Sequence, residues 1–424
     1  MAWLPQASGD LQLRNPAASG GRPSYAIARV GIVLAIACYA VNAMDRTLFP
    51  LILPEVAREY GFSLPQAGLM STVFTIGMAI AGLPAGYLMS HYARKTVAQA
   101  GVFIFSAVTI LTIAARGFDD MLAYRALTGV GEAMQLTALF AIVSSYFPRY
   151  RAVAIGVLNC SFGIGAIIGP LLGAAMLSTY GTWRAPMIGF GLLGFAFILL
   201  VALSLPRAVS EAAPSPETSN VASAGGAATL RNRNTVLLVA LSVLAGLAIF
   251  GFLGMYPTYL RQELQFSASD TGRIMSIYGL GVLLSVGGGL LGDALPMRPT
   301  LVVSFLIAAF VGWLLFNGSA AFAAQAAFAF AFGVTFSGAI YVNLAACHVK
   351  AVTGALSARA SGLFVTSFYA AASGAGYMIG WLATKLGWTI AGDIQLCGLC
   401  LLAVVLSFIL RPGSMAVTAN FRTK

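Results

Sequence analysis

The 424-residue sequence predicts an all-α membrane protein whose twelve transmembrane helices form two pseudo-symmetric six-helix halves. Three observations lead there. Hydrophobic residues make up 59% of the chain and charged residues only 9%, against about 25% charged in soluble domains. Hydropathy resolves about twelve apolar stretches of roughly 20 residues, each long enough to cross a bilayer. A polar stretch rich in Ser, Ala, Pro and Gly then divides the stretches six and six.

Taken in order, a polar tail over 1–27 contains nothing that reads as a cleaved signal peptide, and disorder is expected there. The first half, 28–205, holds spans at 28–52, 66–89, 96–115, 120–146, 153–178 and 185–205. The segment 206–235 includes APSPETSNVASAGGAAT, which cannot span a membrane and reads as a flexible linker. The second half, 236–410, holds spans at 236–260, 271–292, 300–317, 320–346, 359–383 and 389–410, followed by a tail over 411–424. The 47 glycines suit helices that must approach closely within lipid.

Lys and Arg outnumber Asp and Glu by 24 to 13. No basic block with interleaved aromatics appears, which argues against nucleic acid as a partner. The basic residues instead sort by side. Sixteen fall on the side of the termini and linker, and six (Arg58, Arg116, Arg184, Arg261, Arg273 and Lys385) on the other. By the positive-inside rule the termini and the linker are cytoplasmic, as in a multi-pass protein of a bacterial inner membrane.

Four charged residues remain inside the spans: Asp45 and Arg46 in the first, Arg125 and Glu132 in the fourth. An ionisable group at membrane depth costs roughly 2.5–3.5 kcal/mol on insertion scales, so such groups mark an ion or substrate pathway. Pairing that only holds helices together is the plainer alternative, although a single Asn or Ser contact would do that at lower cost. Positions 125 and 132 are two helical turns apart, about 10.5 Å along one face, and Gln135 continues that face. With spans one and four running in opposite directions, Arg125 can reach Asp45 and Glu132 can reach Arg46. Burial favours the neutral form of a carboxyl and a neighbouring guanidinium favours the charged form. That competition is what a proton-coupled switch requires.

Little else in the chain carries chemistry. Cys397 and Cys400 form a CxxC on an apolar helix, where two small packing residues are the ordinary reading. His91 and His348 fall in short loops by this reading and define neither a metal site nor a catalytic pair. No His/Asp, Ser/His or metal-ligand cluster shares one depth, which argues against a membrane-embedded enzyme and gives no reason to expect a cofactor or metal. A receptor or scaffold would not need the buried charges.

The halves echo one another. GYLMSHYARK (86–95) follows span two and GLLGDALPMR (289–298) follows span eight, each a Gly-led helix end running to a basic residue, with Ser90 and Asp293 equivalent. Transporters use paired repeats of this kind.

The pattern resembles the major facilitator superfamily. The loop after span two is similar to its Gly-x-Leu-x-Asp-Arg-x-Gly-Arg-Arg motif, read here as Gly86, Leu88, Ser90, His91, Ala93, Arg94 and Lys95. Ser90 stands in place of the usual acid, and the second copy keeps one as Asp293, with Arg298 as its base. RALTGVGEA (125–133) resembles the family's span-four Arg-x-x-x-Gly-x-Gly motif, linked with proton coupling. Gly156, Gly165, Gly169, Pro170 and Gly173 match its span-five Gly-Pro motif. Within the superfamily, NAMDRTLFP (42–50), the span-four pair and TWR (182–184) look most like the anion:cation symporter family, with spinster-type lysolipid transporters second.

That resemblance implies a major facilitator fold and a secondary active transporter, acting as a proton-coupled symporter of a small organic anion, a carboxylate or sugar acid, by alternating access. The alternative it leaves is a proton-coupled exporter of drugs or lysolipid-like amphipaths. Asp45 and Glu132 would then be the protonatable acids, and Arg46 and Arg125 the anion-binding groups. Gln135, Asn159, Tyr256, Tyr259, Tyr278, Asn343 and Tyr369 are candidate polar and aromatic contacts. Gly86, Arg94, Lys95, Asp293, Arg298, Gly169 and Pro170 are assigned to gating. The partners implied are the organic anion, protons and the bilayer, with the chain acting as a monomer.

Overall fold

The computed structural model describes residues 25–146, 151–211, 226–353 and 356–415. It is built of helices, and among those residues the one β feature is an isolated bridge between Ala227 and Val352. In the first half α1 is Tyr25–Tyr60, α2 Leu64–Thr72, α3 Phe74–His91, α4 Arg94–Leu111, α5 Phe118–Tyr146, α6 Arg151–Tyr180 and α7 Arg184–Ser204, with a short α8 at Arg207–Ser210. The second half has α9 at Arg233–Gln262, α10 at Ala268–Leu283, α11 at Ser285–Ala294, α12 at Met297–Asn317, α13 at Phe322–Phe332 and α14 at Val342–Lys350. It ends with α15 at Ser357–Ser373, α16 at Ala375–Leu386, α17 at Trp388–Gly392 and α18 at Leu399–Ile409. Two π-helical pieces, Gly333–Tyr341 and Asp393–Gly398, join α13 to α14 and α17 to α18.

Eleven helical stretches among the described residues are long and apolar enough to cross a membrane. The rod α15–α16 stands where the eleventh of the expected spans was placed, but it is divided at Gly374 into a 17-residue and a 12-residue piece. Pro50, Pro54, Pro84, Pro170 and Pro257 all lie inside helices, which packing against neighbouring helices permits in a membrane bundle.

Helix ends are set locally. Ser63 and Gln66 form a capping box at the start of α2, and the Asn232 side chain accepts from Thr235 N to start α9. Gly61 and Gly181, with φ of 68° and 64°, stop α1 and α6 in a conformation that favours glycine. The linker is fastened at both ends. Val209 packs into the first half, and Ala227 exchanges backbone hydrogen bonds with Ala351 and Thr353 of the second. Its middle, 212–225, lies outside the described residues, as do both terminal tails.

The repeat is visible in side-chain chemistry. Lys95 Nζ donates to the carbonyls of Ala202 and Leu205 at the end of α7, and Arg298 donates to the carbonyl of Leu410 just past α18. Each half thus ties the start of its third span to the end of its sixth.

Contacts between the halves concentrate away from the termini. Thr72 Oγ1 donates to Ser373 O at 2.9 Å and accepts from Gly376 N, while Gly68 and Gly376 bring α2 and α16 into backbone contact. Ser276 Oγ donates to Ile167 O at 2.8 Å, joining α10 to α6. Arg261 of α9 pairs with Glu55 of α1. Towards the terminal side, Gly82, Gly86 and Gly362 each face open space.

Candidate functional site

The charged residues meet inside the first half. On α1, positions 42, 45, 46 and 49 recur at three- and four-residue steps and so share a face. That face meets α5, which presents Arg125, Glu132 and Gln135. Arg46 Nε donates to Glu132 Oε2 at 2.7 Å, and Arg125 Nη1 lies 3.5 Å from Asp45 Oδ2. All four groups are buried.

Small residues make this approach possible. A Cβ at Gly169 on α6 would fall 2.8 Å from Met44 Cα, and one at Gly165 would strike Ala43 and the Ala40 carbonyl. The span-five glycines therefore let α6 lie directly on the stretch of α1 that carries Asp45 and Arg46. Gly101 and Gly131 do the same between α4 and α5, one residue before Glu132.

Neutral side chains complete the cluster. Thr109 Oγ1 on α4 donates to Asp45 Oδ1 at 2.9 Å. Asn42 Nδ2 donates to Gln135 Oε1 at 2.8 Å, and Gln135 Nε2 to the carbonyl of Cys38 at 3.0 Å. The Arg125 guanidinium carbon sits 4.3 Å from the Phe49 ring centroid and 5.6 Å from that of Phe74, within cation–π range. Satisfaction is incomplete. Arg46 Nη2, Arg125 Nε and Nη2, and Glu132 Oε1 are buried without a hydrogen-bond partner, each a cost of about 1–3 kcal/mol.

Between the halves lies a cavity of about 930 Å³, open solvent at its mouth included. Arg46 lines it from α1, Phe162 from α6, Phe250 from α9, Tyr278 from α10, and Phe368 and Tyr369 from α15. Arg46 therefore touches two environments: Nε holds Glu132 in the interior, and the guanidinium borders the cavity.

The other expected site residues divide. Tyr278 and Tyr369 line the cavity with Arg46. Gln135 stands behind it, bonded to Asn42 and Cys38. Arg125 is fully buried beneath Phe49 and Phe74 and is not among the lining residues. Tyr256 is fully buried and donates to Gln325 Oε1, and Tyr259 packs between Phe316 and Trp388. Asn343 Nδ2 donates to the carbonyls of Gly288 and Ala339, a helix contact. The side chains of Asn159 and Asp293 lie outside the described residues.

Among the residues expected to gate, Arg94 Nη1 donates to Ser145 Oγ at 2.8 Å, Gly86 faces open space and the Pro170 carbonyl packs against Gly272 of α10. His348 departs from the expectation of a loop: it is fully buried on α14, with Nε2 2.9 Å from Ser242 Oγ on α9. His91 is the last residue of α3 rather than part of a loop. Sequence reasoning did not single out Asn42, Thr109, Tyr341, Phe250 or Ser285. Asn42 and Thr109 are neutral polar residues within apolar spans, and their positions on the faces of α1 and α4 that meet α5 were the available signal.

The Major Facilitator Superfamily model matches residues 35–377. The chain belongs to that superfamily. It is 24% identical over 284 residues to the cis,cis-muconate transport protein of Acinetobacter baylyi, a match covering 64% of this chain and 68% of that one. It is 31% identical over 175 residues to the probable anion transporter 3, chloroplastic, of Oryza sativa subsp. japonica. That match covers 41% of this chain and only a third, 33%, of the rice protein. A solved structure of a bacterial homolog to the human lysosomal transporter spinster superposes with a TM-score of 0.71 at 16% identity, over 91% of this chain and 96% of that one. This last likeness establishes the shared fold.

Proposed function

We propose that this superfamily member is a secondary active transporter that moves a small organic anion with protons by alternating access. The observation that carries the reading is the double placement of Arg46, bonded to Glu132 on one side and bordering the cavity on the other. An anion that pairs with the guanidinium competes with Glu132 for it. Glu132 then loses part of what stabilises its charged form and takes up a proton.

Charge conservation supports the coupling. Asp45, Arg46, Arg125 and Glu132 sum to zero. A bound anion would leave one net negative charge in a poorly solvated interior, which is costly. One proton on Glu132 returns the sum to zero, so the empty and loaded carriers present the same charge as the halves rock about their interface. The relatives named for muconate and for anions agree with an anionic substrate.

The superfamily is one of transporters rather than enzymes. The positive-inside bias supports cytoplasmic termini in an inner membrane, and the presence of cavity and charges within one chain supports a working monomer. A second reading, export of a drug-like or lysolipid-like amphipath, is favoured by the apolar cavity wall opposite Arg46. Reconstituted protein in liposomes with an imposed pH gradient distinguishes the two. Proton-driven accumulation of a small organic acid supports symport, whereas transport confined to amphipaths supports the exporter.

A further inference from the structure

The cavity has two unlike walls. On the first half, the Arg46 side chain borders the cavity, with the Phe162 ring centroid 5.9 Å from the guanidinium carbon. On the second half the wall carries a cluster of rings among aliphatic side chains. Phe250 lies edge-on to Phe368 and Tyr369 at 6.1 and 5.9 Å, and Tyr341 lies edge-on to Phe368 at 5.2 Å. Phe74 closes against Phe250 at 6.0 Å.

Polarity is scarce and specific. Among the described lining residues, Arg46 is the one formally charged group, and the rest of the polar lining is hydroxyl. Several of those hydroxyls are already committed: Ser71 donates to the carbonyl of Gly68, and Ser337 is 2.8 Å from the hydroxyl of Tyr278. Ser285 Oγ, on the ring-lined half, is buried without a partner. Arg125, the second cation nearby, is paired with Asp45 behind Phe49 and Phe74 and does not line the cavity.

We infer that the substrate is a compact aryl or hydroxyaryl monocarboxylate, its carboxylate on Arg46 and its ring against Phe250, Phe368 and Tyr369. This rests on the reading of the chain as an organic-anion transporter and narrows it. A guanidinium fork matches one carboxylate, and a ring gains from edge-to-face contact with the aromatic wall. A sugar acid would bring several hydroxyls to a lining made mostly of ring and hydrocarbon, and each hydroxyl left unmatched there would lose its water without replacement. A dicarboxylate would need a second accessible cation. A hydroxyl on the aryl ring has a candidate partner in Ser285.

The test is uptake by the full-length protein in proteoliposomes under a pH gradient, with benzoate, 4-hydroxybenzoate, glucuronate, succinate and a lysophospholipid as probes. Expected are saturable uptake of the two aryl acids with KM at least tenfold below that of glucuronate and succinate, and a loss of about three- to tenfold in aryl-acid affinity for Phe250→Leu. Binding to the detergent-purified, monodisperse variant separates lost affinity from failed folding. Preferred uptake of glucuronate or succinate overturns the aryl assignment and leaves the organic-anion reading standing. Transport of the lysophospholipid alone, or no binding of any acid by folded protein, overturns both.

Discussion

Arg261 Nη2 lies 2.6 Å from Glu55 Oε1, joining the last turn of α9 to the C-terminal part of α1 across the two halves. Both side chains are mostly buried, and Glu55 Oε2 and Arg261 Nη1 are buried without a hydrogen-bond partner. The pair sits on the side where the halves already touch through Thr72, Ser373 and Gly376, so it reinforces closure there. Glu55→Gln should weaken that closure by about 1 kcal/mol, roughly a fivefold change in the closed-to-open ratio. With the native cysteines replaced, a cysteine at Leu253 in the cavity should then be labelled several times faster by an impermeant maleimide from that side. The exchanged pair Glu55→Arg with Arg261→Glu should restore slow labelling. Unchanged labelling in Glu55→Gln would show that the pair does not hold the closed state.

Glu132 should separate coupling from exchange. Glu132→Gln mimics the protonated carboxyl and still gives Arg46 Nε an acceptor, so the cluster stays assembled. Counterflow exchange of substrate should persist within about threefold of the parent, while accumulation driven by a pH gradient collapses and the rate loses its dependence on pH. Wild-type accumulation across pH 5 to 8 in this variant would assign Glu132 a purely structural role.

The two ion pairs were legible in the sequence because ionisable residues are rare in apolar spans and helical spacing dictates which of them can meet. The aromatic wall was not. Phe310 and Phe408 are 60% exposed on the outside of the bundle, while Phe368 is 3% exposed beside the cavity, and all three sit in equally apolar helices. Lipid and cavity both accept phenylalanine, so the residue type carries no record of which it faces. Tyr256 and Asn343 misled for a related reason. Each is a polar group in an apolar span, but each finds its partner within the second half, at Gln325 and at the Gly288 carbonyl. Glu55 and Arg261, 206 positions apart, stood near span ends, where the sequence marks only topology. His348 lies so close to the end of its helix that hydropathy placed it in a loop, although packing under α9 buries it.

Close packing of α2 on α16 gives an independent check on the closed side. A Cβ at Gly68 would strike the carbonyl of Gly376, a backbone atom that cannot rotate away. Gly68→Ala should therefore force the two helices apart, at about 1–3 kcal/mol. The expected readings are a melting temperature several degrees lower in detergent and faster labelling of the cavity cysteine from the same side. The exposed Gly413, which meets nothing within 4 Å, is the control, and Gly413→Ala should leave both readings unchanged. Equal behaviour of the two variants would mean that the helix contact contributes nothing to closure.

Under the proposed function, Arg46 sets the charge selectivity of the site. Its guanidinium reaches Glu132 through Nε while the side chain also borders the cavity. A lysine would keep the charge but lose the fork that serves two partners at once. Arg46→Lys should weaken anion binding by about 10-fold, equivalent to the 1.4 kcal/mol that a tenfold change represents. Arg46→Ala alone is a poor test, because it strands the Glu132 carboxylate in the interior at about 3–5 kcal/mol and can prevent folding. The informative variant is Arg46→Ala with Glu132→Gln, which removes both members of the pair and leaves no orphaned charge. If Arg46 contacts substrate, this double variant folds, elutes as a monodisperse species and fails to bind the anion. If Arg46 serves only to neutralise Glu132, the double variant binds the anion as tightly as the Glu132→Gln parent, and calorimetric titration of the two proteins side by side separates these outcomes.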